Sequence, residues 1–216
     1  MTEAAIKAMI HLLDDSDQEV VTMVEQQIRT LGPSIIPVLE SEWETESLNP
    51  ILQTKIENLI HDFQWQSVKT RLQLWKESGG MDLLEGMWIL ATYRYPDYTF
   101  EQLKVEMDQL YYEVWPQMRE ELHPMDQVKV LNTVLFDQLK FGPNSKNFHA
   151  ANNSFINNVL SSKKGNPISL CVIYMWVAQK LGLPIYGVNL PNLFVLTYKQ
   201  KGLQFYINVF NKGLIF

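Results

Sequence analysis

Residues 163–182 constrain the fold of this 216-residue chain more than any other stretch. Lys163-Lys164-Gly165-Asn166-Pro167 leads into an apolar run over 168–181, which stops at Gly182. Asn can cap a helix by accepting a hydrogen bond from a free backbone N–H, and Pro suits the first turn because its missing N–H would be unpaired there. A Gly just past the apolar run supplies the C′ residue. The stretch reads as a buried helix. Three β-rich runs follow, at 184–190, 194–199 and 204–209, so the helix is expected to lie on a small sheet. Cys171, the only cysteine, sits near the start of this helix. A helix N-terminus favours thiolate, which makes this one of few places where a lone cysteine can be reactive.

With 46% hydrophobic and 12% aromatic residues the chain has the material for a folded core. A net charge of −6 argues against general affinity for nucleic acid or anionic lipid. No apolar run approaches the ~20 residues of a membrane span, and the N-terminus lacks a secretory signal pattern. One cysteine excludes an internal disulfide, and a cytoplasmic location is expected. Leu214-Ile215-Phe216 reads as the start of a strand, so the last domain is expected to be cut short after Phe216.

The N-terminal third is patterned for helices. Ile6, Met9, Ile10 and Leu13 follow i, i+3, i+4, i+7 spacing. Asp14-Asp15 breaks that helix, and Ser16 with Glu19 forms a capping box for a second one burying Val20, Met23, Val24, Ile28 and Leu31 up to Gly32-Pro33. A third is expected over 35–43, a fourth from Asn49-Pro50 with Leu52, Ile56, Leu59, Ile60 and Phe63 on one face, and a fifth over 68–75. Short helix pairs with Asp-rich turns are similar to HEAT repeats. Two such units fall short of the three or so that a solenoid needs, so the helices must pack on something else. Their outer face either binds another protein or only covers a core. Gly79-Gly80 is the expected linker.

Beyond it, a strongly apolar helix is expected over 83–91, then a long helix opened by Thr99 with Gln102 and carrying Leu103, Met107, Leu110 and Val114. Pro116 should kink or end it. A further helix holds Val128, Leu131, Val134, Leu135 and Leu139. Tyr111, Tyr112, Trp115 and Met118, at helical spacing, are assigned to core packing rather than to an aromatic binding stripe.

The chain lacks the usual signatures of chemistry. The four histidines, His11, His61, His123 and His149, include no pair spaced as metal ligands, so no metal is expected. Phosphate-cradling glycine patterns and the Gly-x-Ser-x-Gly elbow do not occur, and no cofactor is implied. The acidic run Glu40, Glu42, Glu44, Glu46 reads as a solvated face. A Cys171 nucleophile would need a base, and the strand positions available, Leu193 and Asn208 among them, hold no histidine. His149, upstream of the helix, is the one nearby alternative. Cys171 lies beyond the first turn, where the helix dipole acts most strongly, so it is assigned to inert packing.

Four phrases follow one another in order: Leu139-Lys140-Phe141-Gly142-Pro143-Asn144, Asn153-Ser154-Phe155-Ile156-Asn157-Asn158-Val159-Leu160, Lys164-Gly165-Asn166-Pro167-Ile168-Ser169-Leu170 and Lys180-Leu181-Gly182-Leu183-Pro184-Ile185-Tyr186-Gly187-Val188. On these, over residues ~80 to 213, the chain resembles the SirB-type transglutaminase-like family. The resemblance implies an α+β fold. HEAT-like repeats over 1–78 would precede a mostly helical, papain-like transglutaminase-like domain over 81–216, with a small antiparallel sheet. Family members read Pro-Gly-His-Phe where this chain has Pro191-Asn192-Leu193-Phe194, and Asp-Pro-Phe where it has Asn208-Val209-Phe210. The family's nucleophile falls in the first helical turn, here Pro167, Ile168 and Ser169, with Cys171 offset from it. The triad positions Ser169, Leu193 and Asn208 are therefore degenerate. The expectation is a non-catalytic scaffold whose partner is another protein. The alternative is a cysteine-dependent transferase or peptidase in which an unconventional base, His149 or a group expected beyond Phe216, activates Cys171.

Overall fold

The computed structural model describes residues 2–45, 49–119, 121–191 and 193–216. Glu46 of the acidic run and Asn192 of the strand link lie outside the described residues. The chain divides into two compact units, Met1–Leu74 and Trp75–Phe216.

In the first unit, α1 (Glu3–His11), α2 (Gln18–Leu31), α3 (Ile36–Trp43) and the long α4 (Pro50–Glu77) enclose a core that includes Ile10, Leu13, Ile28, Leu39, Ile56 and Phe63. Four expectations need correction here. Met23, expected to be buried in α2, is 70% exposed, and Val21 is buried instead. The cap of α2 is Asp17, whose carboxylate accepts from the Glu19 N–H at 2.8 Å, rather than Ser16. The separate helices expected around 50–63 and 68–75 are one helix. Nothing over 64–67, Gln-Trp-Gln-Ser, breaks a helix, and the change of buried face there does not require a turn. Glu42 is not on a solvated face. It is 7% exposed, and its carboxylate receives Lys7 Nζ at 3.3 Å and His11 Nε2 at 3.2 Å.

The second unit is built around one helix. α5 (Leu83–Ala91) is capped by Asp82, and α6 (Phe100–Val114) by the reciprocal Thr99–Gln102 box. Pro116 ends α6, turning the chain into a 3-10 segment at Trp115–Gln117. Leu103, Met107, Leu110 and Val114 form the buried stripe of α6. That stripe leaves Tyr112 (63% exposed) and Trp115 (58%) on the opposite side, so these two are not core residues. α7 (Pro124–Asn132) runs on into a π-helical turn, Thr133–Gln138. The short strand β1 (Gly142–Pro143) pairs in parallel with β2 (Lys164–Gly165), on either side of α8 (Ile156–Ser162).

α9 (Pro167–Lys180) buries nine residues between Ser169 and Ala178 and contacts α5, α6, α8, β3 and β4. A helix apolar on all sides has no stable position except inside a core. The strands β3 (Ile185–Leu190), β4 (Leu193–Gln200), β5 (Leu203–Asn208) and β6 (Leu214–Ile215) form an antiparallel sheet in simple sequence order. The unit is thus α+β, a helical layer on a small antiparallel sheet. Among the described residues no helix is long and apolar enough to cross a membrane.

Candidate functional site

The N-terminus of α9 is locked by short-range bonds. Asn166 Oδ1 accepts from the Ser169 N–H at 2.9 Å, and Ser169 Oγ accepts from the Asn166 N–H at 3.0 Å. Pro167 occupies the first turn and costs nothing there. Asn166 Nδ2 also donates to Ser154 Oγ at 2.9 Å, which ties the helix start to the loop before α8. Gly165 must lack a side chain, because a Cβ would come within 2.9 Å of Val159 and strike Ser169.

That loop is organised by a buried asparagine. Asn153 is 3% exposed, and its Nδ2 donates to the carbonyls of Asn147 (2.8 Å) and Phe148 (2.9 Å). Its Oδ1 accepts from Asn144 Nδ2 at 2.8 Å. A buried amide with its hydrogen-bonding capacity met fixes one loop conformation. Phe148 and His149 are thereby carried to the start of α9.

Between this loop and the β3–β4 link lies an open cleft of about 450 Å³. Phe148, His149, Pro167, Ile168, Asn189 and Leu193 line it, along with smaller loop residues and Phe194. Its surface is mixed polar and apolar, and three of its apolar side chains are exposed: Ile168 is 52% exposed, Phe148 46% and Leu193 38%. Among the described lining residues His149 is the one imidazole.

The other candidate residues sit elsewhere. Cys171 is 0% exposed, with its Sγ 3.9 Å from the Phe194 carbonyl oxygen, and it does not line the cleft. Burial pushes its thiol up to about 12, the direction opposite to that of a nucleophile. Ser169 is wholly buried and engaged in the cap. Asn208 accepts from the Asn211 N–H at 3.1 Å, capping the turn after β5, and is also outside the cleft. The structure therefore brings His149 and Leu193 to one cleft and leaves Cys171, Ser169 and Asn208 out of it. Among the described residues no group of three or more His, Cys, Asp and Glu is placed to hold a metal ion.

Of the lining residues, Ile168 lies in the helical turn to which the resemblance assigns the nucleophile, whereas Phe148 and Asn189 are not singled out by the sequence. Ile168 carries a signal in retrospect: the second residue of a capped helix projects beyond the packed turns. Phe148 and Asn189 carry none, since only the tertiary fold sets loop 144–154 across the cleft from β3.

A family model described as the transglutaminase-like superfamily matches residues 101–216. F-box only protein 21 of Mus musculus is 38% identical over 91 residues, covering 38% of this chain and 14% of that protein. A UPF0162 protein of Xylella fastidiosa strain Temecula1 is 32% identical over 158 residues, covering 66% of this chain and 52% of its own length. One from Vibrio cholerae is 26% identical over 136 residues, covering 62% and 50%. The chain thus spans about half the length of these bacterial relatives and a small part of the F-box protein. No solved structure matches. With more than half of its residues matched by the family model, the chain belongs to the transglutaminase-like superfamily.

Proposed function

We propose that this chain is a non-catalytic member of the SirB-type branch of the superfamily, retained as a scaffold that binds another protein. The observation that carries this reading is the composition of the cleft at the start of α9. At the positions that match the family's nucleophile and base the cleft presents Pro167, Ile168 and Leu193, none of which can attack a carbonyl or transfer a proton, and the lining His149 has no thiol in the cleft to activate. The one thiol of the chain is sealed in the core with its ionisation suppressed. Asn208, aligned with the family's acid, carries no charge to steady an imidazolium and is occupied by its own turn.

The four helices of the first unit fit HEAT-like units, with Asp14-Asp15-Ser16-Asp17 as an inter-helix turn, and supply a second surface for a partner. The net charge of −6 favours a protein partner over nucleic acid, and the cytoplasm suits a chain whose lone cysteine is a packing residue.

The test is turnover by the full chain. Incorporation of a fluorescent primary amine into casein and hydrolysis of a peptide substrate pool are compared between the wild type and Cys171→Ser. Equal, background-level signals are expected. Turnover that disappears with Cys171→Ser would overturn the reading in favour of a cysteine-dependent transferase or peptidase.

A further inference from the structure

β3 forms one edge of the four-stranded sheet. Its register with β4 determines which backbone groups are free. The Lys199 N–H donates to the Pro184 carbonyl at 2.9 Å, and Leu190 pairs with Leu193 across the two-residue link. Counting in twos between these points, Tyr186, Val188 and Leu190 direct their N–H and C=O groups at β4. The groups of Ile185, Gly187 and Asn189 point the other way. Ile185 is satisfied locally: its N–H donates to the Leu183 carbonyl at 2.8 Å, and its C=O accepts from Gln179 Nε2 at 2.8 Å. The N–H and C=O groups of Gly187 and Asn189 have no such partner among the described residues.

Natural sheets usually blunt such an edge with Lys, Pro or a bulge. β3, Ile185-Tyr186-Gly187-Val188-Asn189-Leu190, has none of these and carries no charge. Beside it runs a groove of about 740 Å³, lined by Met81, Leu83, Met175, Leu183, Tyr186 and Phe194 among others. Gly187 lets the Phe194 ring lie over the strand, since a Cβ there would sit 2.9 Å from Phe194 Cζ. Met81 is 88% exposed and Tyr186 50%. Among the described residues no lining residue is charged, although 18 basic and 24 acidic residues are spread through the chain. A neutral groove next to unpaired backbone donors and acceptors complements an extended backbone with uncharged side chains, and it disfavours a charged helix.

We propose that the β3 edge docks an extended, uncharged segment of a partner protein. The segment adds to the sheet as a fifth strand through Gly187 and Asn189 and seats apolar side chains against Met81, Leu83 and Phe194. This goes beyond the reading of the α9 cleft and does not depend on it. Turnover would overturn that reading without touching this one.

The probe is a phage-displayed library of random dodecapeptides selected on the full chain, with the enriched sequences synthesised. Enriched peptides are expected to share an uncharged, alternately apolar core. N-methylation of alternate peptide nitrogens should weaken binding in one parity only, the mark of a strand ladder. Asn189→Pro removes an outward donor and leaves the β3–β4 ladder intact, so it should weaken binding about tenfold, while Asn189→Ala stays near wild type. Tyr186→Lys, which places a charge at the groove, should weaken binding as well and serves if the proline variant melts early. Failure to enrich uncharged peptides, or loss insensitive to N-methyl parity, overturns the proposal. A micromolar dimer of the free chain that Asn189→Pro dissolves also overturns it, by giving the edge to a second copy.

Discussion

Alkylation of Cys171 tests the silent-site reading most directly, and its size follows from the structure. The thiol is fully buried in α9, and burial pushes its ionisation up to about 12. Only the thiolate reacts with iodoacetamide. At pH ~8 a free cysteine with the ordinary value of ~8.5 is about one quarter thiolate, whereas a group at about 12 is ionised about once in ten thousand. Ionisation alone therefore slows the reaction by roughly two to three thousandfold. Reagent access demands opening of the central helix, which adds to that factor. The assay follows label incorporation by mass spectrometry between about pH 6 and pH 10, on native and on guanidinium-unfolded protein. The unfolded chain should label with a midpoint near ~8.5 and the native chain only at the rate at which it opens. A native midpoint at or below ~8.5, or a native rate within about tenfold of the unfolded one, would refute the assignment.

The same shift has a stability consequence. The folded-state value lies above the unfolded one, so the contribution is fully present below about pH 8.5 and is lost as pH rises towards about 12. Urea midpoints should fall between about pH 9 and pH 11 in the wild type and fall less in Cys171→Ser, measured by circular dichroism. In a Cys171→Ser background, Ile168→Cys puts a thiol on the exposed first turn of α9. It should label in the native state with a midpoint below ~8.5, and unreactivity would show that this turn is closed. Asn166→Ala removes the α9 cap and the bond to Ser154, for an expected loss of about 2–3 kcal/mol by urea titration. Gly213→Ala forces a side chain into φ 73° and onto Asn132, which otherwise donates to the Gly213 carbonyl and accepts from the Tyr174 hydroxyl. About 2–4 kcal/mol should be lost, and a melting curve unchanged from wild type would show that the turn relaxes freely.

Features set by neighbours in sequence were legible. The Asn166–Pro167 start of α9, the Thr99–Gln102 box and the stop of α6 before Pro116 all rest on contacts within about one helical turn. The three strands after Gly182 came from β-rich runs, and their register follows from two-residue links. Where two local solutions competed, the sequence did not choose between them. Ser16 and Asp17 are both good caps, and Asp17 holds the bond. The helices expected from Asn49-Pro50 and over 68–75 are one because periodicity marks a buried face without marking a helix end, and no breaker lies over 64–67.

The site shows the same limit. The sequence by itself determined that α9 is a capped, apolar, central helix and that the strand positions Leu193 and Asn208 hold neither a histidine nor an acid. Only the tertiary structure decided that Cys171 faces the core, that Asn208 is spent on its own turn, and that His149, Ile168 and Leu193 meet at one cleft. Capping is decided over three or four residues by backbone geometry. The cleft depends on loop 144–154 facing β3 and the β3–β4 link some forty residues later, with the Phe148 ring edge-on to Phe210, and no local propensity encodes that arrangement.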